Sequence, residues 1–204
     1  MTTKATDILH RVMDILMNDG KKNEADAVQA MIQWIAFEVG VDPGMVSGSI
    51  HQDAYQKLKT IDLSPLAERR EDVIGYFVTT YYKSHCASDF FADMDACRRI
   101  ASRTDQLPEK TIYRLLDRCA GSGGLLIALS ERFGDKGILY AAEPDLTAYR
   151  IANINRTLFN INARIIHADY RIHDLSPGSR NWLNANAWNP TKWDKLAKAG
   201  VPNG

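Results

Sequence analysis

The segment Leu115–Asp145 reads LLDRCAGSGGLLIALSERFGDKGILYAAEPD. An apolar run ends at Asp117, a loop of small residues follows, and an amphipathic stretch closes at Gly134. "TIYRLLD" (111–117) is β-branched and aromatic up to its acid, the pattern of a buried strand. "GGLLIALSERFG" (123–134) predicts a helix, and "KGILYAAEP" (136–144) a second strand. Downstream, "DLTAYRIANINRTLFNIN" (145–162) predicts a helix capped by Asp145 and stopped near Asn160. "ARIIHADY" (163–170) predicts a third strand. Strands alternating with helices imply a parallel, doubly wound α/β sheet with right-handed crossovers.

Upstream of residue 106 the pattern is helical. Ile8, Val12, Ile15 and Leu16 share one face of a helix over 4–18. Ala27, Met31, Ile32, Ile35 and Val39 do the same over 24–39. "GVDPGMVSGS" (40–49) reads as a loop. Residues 64–84 predict one long helix with Ser64 as cap and Pro65 in its first turn, and residues 88–104 a further helix. The expected organisation is a helical region over 1–105 and a Rossmann-like cofactor-binding domain over 106–204. The Asn- and Trp-rich tail after Tyr170 gives no secure assignment beyond a short helix in "TKWDKLAKAG" (191–200).

Composition excludes several classes. Apolar residues make 45% of the chain and charged residues 25%, ordinary for a protein with a real core. The formal net charge is zero, so any DNA contact has to come from a local patch or a partner subunit. No run is long enough to span a bilayer, and the N-terminus lacks a signal-like apolar segment. Three cysteines without a C-x-x-C pair suggest reduced thiols and a cytoplasmic protein. His167 and His173 flank Asp169 with no third ligand at a sensible spacing, so no metal site is expected.

The loop and three acids carry the chemistry. Gly121, Gly123 and Gly124 let the backbone approach a ligand, and the helix after them offers free N–H groups. Ligands of such sheets sit at the carboxyl ends of the strands. Asp117, Glu143 and Asp169 fall at three successive strand ends, where they suit an ammonium, a pair of ribose hydroxyls and an adenine amine. A dinucleotide fingerprint wants a third glycine where Leu126 stands, and Asp117 would repel a pyrophosphate. A ligand with a cationic sulfonium or ammonium fits better. S-Adenosyl-L-methionine is therefore the expected cofactor, and a nicotinamide oxidoreductase is disfavoured.

These residues resemble those of the N6-adenine DNA methyltransferases, especially the methylation subunits of type I restriction–modification systems. "LLDRCAGSGGLLIAL" resembles the family's D-P-A-C-G-T-G-G motif, matched by Asp117, Cys119, Gly121, Gly123 and Gly124 at or one step from the pattern. "LYAAEPDLTAYRIANINRTLFNI" resembles the second motif, in which Glu143 would hold the ribose, and "IIHADY" the third, with Asp169 near the adenine. "DVIGYFVTTYYKSHCASDFFADMDACRRIA" resembles the segment that usually ends G-E-F-F-T-P and touches the cofactor from its other side. Phe90 and Phe91 match there, whereas Ala92 and Asp93 replace Thr and Pro. The resemblance implies DNA methylation on the adenine N6 amine.

The family's Asn-Pro-Pro-aromatic motif, which holds a flipped adenine, is absent as such. Asn186 with Trp188, or Asn189 with Pro190, keeps part of it. The family's sheet normally has seven strands, and too few residues follow Tyr170 to supply them. Either the tail and N-terminal helices cover the sheet, or a homo- or hetero-oligomeric partner does. A different class stays open: a catalytically inactive relative that binds cofactor or a partner methyltransferase as a regulatory or antirestriction component.

Overall fold

The computed structural model describes residues 4–42, 50–82 and 91–175. Helices α1 (Lys4–Asn18) and α2 (Glu24–Glu38) form where the apolar spacing predicts them. Asn23 caps α2 by accepting the Asp26 N–H at 2.9 Å. A short helix α3 (Gln52–Leu58) was not expected. It buries only Ala54 and Leu58, too few apolar positions to show a helical period.

Residues 64–84 do not form the single helix expected of them. Ser64–Ala67 is a 3-10 turn, and α4 (Val73–Tyr81) starts afresh. The run from Glu68 to Asp72 is wholly charged and has no apolar stripe to bury. Asp72 then accepts the Gly75 N–H at 2.9 Å and caps a new helix. Helix α5 (Met94–Ser102) is capped in the same way by Asp93, through the Ala96 N–H at 2.6 Å.

The α/β unit follows the expected order. Strands β1 (Tyr113–Asp117), β2 (Gly137–Glu143) and β3 (Ala163–His167) alternate with helices α6 (Gly124–Phe133) and α7 (Leu146–Leu158). The sheet is parallel in the order β1-β2-β3, with Asp117 beside Ala141 and Glu143 beside His167. Asp145 caps α7 through the Ala148 N–H at 2.7 Å, and Asn160 leaves the helix at φ +50°. The third strand ends at His167, two residues short of Asp169, so Asp169 stands on the exit loop.

One apolar core runs through the helices and one face of the sheet. Leu9, Met31, Phe77, Leu126, Ile151 and Ile165 all belong to it. Helix α2 packs on α7, and α5 packs on α6. Both crossover helices therefore cover the sheet face that carries Leu115, Leu139 and Ala141. Among the described residues, the opposite face is less covered. Ala142, Ile166 and Ala168 form a small cluster with Tyr140 and Leu175, while Leu116 remains 41% exposed. Among the described residues, no helix is long and apolar enough to cross a membrane.

Candidate functional site

The loop after β1 is held in register with β2. The Ala120 N–H donates to the Ala142 carbonyl at 3.0 Å, and the Gly123 N–H closes a turn on the Ala120 carbonyl at 2.8 Å. Gly121 and Gly123 take φ of +53° and +91°, a region that side chains make costly. Space is short as well. A Cβ on Gly121 would stand 3.3 Å from the Phe91 ring, and one on Gly123 would stand 3.2 Å from Ala152 Cα.

Glu143 ties three strand exits together. Its Oε2 accepts the Gly121 N–H at 2.8 Å, and its Oε1 accepts the Asp145 N–H at 2.9 Å. Its own carbonyl accepts the Ala168 N–H at 3.1 Å. The side chain is buried. A carboxylate has about four acceptor positions, so two backbone donors leave each oxygen with capacity for a ligand hydroxyl.

Asp117 is half-buried and accepts the Cys119 N–H at 3.0 Å. Burial pushes its carboxyl above the usual range, against the lowering effect of that hydrogen bond. A cation at this place would favour its ionised form. Asp169 differs. Arg171 grips it with Nε 2.9 Å from Oδ1 and Nη2 2.6 Å from Oδ2. The side-chain and backbone hydrogen bonds from Arg171 hold its carboxyl down to about 2.

All three acids lie on one edge. Burial, then the fields of Asp117, Glu143 and Asp169 acting together, push the Cys119 thiol up. Cys119 is exposed at that edge, and Phe91 packs beside Gly121. Sequence reasoning brought Phe91, Asp117, Cys119, Gly121, Gly123, Glu143 and Asp169 to this place. Phe90 and the candidate catalytic residues Asn186, Trp188, Asn189 and Pro190 lie outside the described residues.

The sequence reading missed a buried set behind the loop. Asp72 accepts from the Ser122 hydroxyl and from Asn155 Nδ2 at 2.7 Å. Burial pushes the Asp72 carboxyl up, while Ser122, Gly75 and Asn155 counter that by donating to it. An aspartate three residues before a glycine, opening an apolar run, was the local signal for its cap; nothing local signals Ser122 or Asn155 as its partners. Also missed was Arg171, whose pairing depends on how the chain turns after β3. A cleft of about 520 Å³ lies between α4 and the start of α5, with Arg69, Asp72, Phe91, Asp93 and Arg98 in its wall. Asp117, Glu143 and Asp169 do not line it.

As chemistry, the edge offers a glycine-lined backbone surface, a buried carboxylate with spare acceptor capacity and a half-buried carboxylate whose ionised form a cation would favour. No curated protein matches the chain. Among solved structures, a Listeria monocytogenes protein assigned as a class I S-adenosylmethionine-dependent methyltransferase superposes with a TM-score of 0.56 at 12% identity. That match covers 84% of this chain and 54% of the other, and it establishes a shared fold. A type I restriction–modification methyltransferase subunit from Streptococcus thermophilus matches at a TM-score of 0.47 and 19% identity, over 86% of this chain and 41% of the other. The chain thus spans about half the length of the structures it matches. The profile of the N-6 DNA methylase family matches residues 67–195, which take in α4, the glycine loop and every acid of the strand edge, and the chain belongs to that family.

Proposed function

We propose that the chain binds S-adenosyl-L-methionine at the carboxyl edge of β1–β3 and takes part in methyl transfer to the N6 amine of adenine in DNA. The observation that carries the reading is Glu143, buried, bonded to the Gly121 N–H and still able to accept from a ligand. Glu143 would take the ribose hydroxyls, Asp117 the methionine ammonium, and Asp169 the adenine amine once Arg171 releases it. Gly121 and Gly123 would bring the backbone against the ligand, with Cys119 and Phe91 at its sides.

When bound, the cofactor supplies a sulfonium methyl. The chain's own contribution is positioning. Asn186 with Trp188, or Asn189 with Pro190, would hold and stack the target adenine, which has to leave the duplex to be reached. The family supports DNA as the substrate. With a net charge of zero, DNA would be met through a local patch or a partner subunit.

Calorimetric titration with S-adenosylmethionine, comparing wild type with Glu143→Ala, tests the cofactor claim. Equal, absent heats in both would end it. Labelled methyl transfer to adenine-containing DNA tests catalysis. Cofactor binding without label above background would move the chain to the non-catalytic, regulatory reading.

A further inference from the structure

Asp72 lies outside the strand–helix unit, at the start of α4, yet only 5% of it is exposed. Capping α4 needs one contact, the Gly75 N–H on Oδ1. The carboxylate takes two more donors from distant elements: Asn155 Nδ2 of α7 on Oδ1, and the Ser122 hydroxyl of the loop on Oδ2. Asn155 Nδ2 also donates to the Ser122 carbonyl at 2.9 Å. Ser122 is thus gripped at its hydroxyl and at its carbonyl. It is the residue between Gly121 and Gly123, the two that take left-handed backbone. Gly75 keeps the grip possible, because a Cβ there would collide with Asp72 Oδ2 and Ser122 Oγ.

We propose that Asp72 is a positioning residue for the glycine loop, holding Ser122 so that the Gly121 backbone and the Glu143 carboxylate are set for one ligand before it arrives. This rests on the S-adenosylmethionine reading above. Two glycines with φ above zero leave a loop with many accessible shapes, and ordering it at the moment of binding would weaken affinity. The Ser122 hydroxyl on the buried carboxylate, with Asn155 Nδ2 bridging that carboxylate and the Ser122 carbonyl, does that ordering during folding instead.

The test uses the full chain with Asp72→Ser and Ser122→Ala. Serine still caps a helix but is too short to reach Ser122. Ser122→Ala leaves the α4 cap untouched, so it answers even if the first variant folds poorly. The readouts are backbone amide exchange without ligand and calorimetric affinity for S-adenosylmethionine. Releasing one ordered loop residue is expected to speed exchange at Gly121 and Gly123 about tenfold and to weaken affinity about tenfold, with β2 amides unchanged. Asp72→Asn, which keeps an acceptor for Gly75 and a polar group facing Ser122, is expected to recover part of the affinity. Unchanged loop exchange in both variants overturns the proposal, and so does faster exchange with wild-type affinity. A wild type that gives no binding heat sinks the cofactor reading and the positioning role with it. Loss confined to the variants sinks neither.

Discussion

Glu143 and Asp169 both put a carboxylate at the carboxyl edge of the sheet, and their surroundings differ in kind. Glu143 is buried and bonded to backbone N–H groups on either side of it. Asp169 sits on an exit loop and faces an arginine that is itself largely exposed. One acid is therefore part of the scaffold while its oxygens keep acceptor capacity. Among the described residues, the other is held by Arg171 alone, through its backbone N–H at 2.9 Å and an exposed guanidinium contact that water and salt weaken. An acid at a strand end becomes architectural when it is buried and the amides of two separate loops turn toward it, whereas the amide on Asp169 belongs to Arg171 itself.

The sharpest break of that contrast is Glu143→Ala. It is expected to weaken S-adenosylmethionine binding by roughly a hundredfold or more, since it removes the proposed ribose acceptor and frees the loop together. It should also lower stability by about 1–3 kcal/mol, because two backbone donors lose their partner. Titration calorimetry and denaturant unfolding read the two effects. Wild-type affinity in this variant would remove Glu143 from the site.

Gly123→Ala tests the loop without touching an acid. A side chain at φ +91° beside Ala152 should cost about 1–3 kcal/mol, read as a lower thermal midpoint. A midpoint equal to wild type would show that the loop has room to relax.

Asp117 separates by pH. Its folded pKa is raised by burial, so below the unfolded value both states are protonated, and on raising pH the folded carboxyl ionises last. Burial of this group therefore opposes folding once pH exceeds the unfolded value. Binding of a cation requires the ionised form. Affinity should fall as pH drops, with an inflection above the ordinary aspartate value of about 3.9. Asp117→Asn should weaken binding about tenfold and erase that inflection. An inflection that survives the substitution belongs to another group.

The smallest effect is expected from Arg171→Ala. The thermal midpoint should stay at the wild-type value, since an exposed ion pair contributes little. The Asp169 carboxyl should return from about 2 toward the ordinary range, followed by NMR titration of its side chain. In the wild type, what the pair adds to stability is present above the ordinary aspartate value and is lost as pH falls through about 2. An unmoved titration would mean that another group holds Asp169.

The α/β order was readable because its signals are local. Asp145 caps a helix by reaching three residues ahead, and β1 and β2 are short apolar runs ending in acids. The failures are local competitions that went the other way. The charged run before Asp72 offered no apolar face, so one expected helix became a 3-10 turn and a shorter helix. The seven-residue α3 was too short to declare a period.

Chain order, apolar period and caps are enough to dictate strands, helices and the acids at their ends, because each depends on contacts a few residues apart. Packing alone joined Asp72 to Ser122 and Asn155, which lie 50 and 83 positions further along. A buried carboxylate takes whichever donors the folded core brings to it, and those neighbours exist only once α4, α7 and the loop have met.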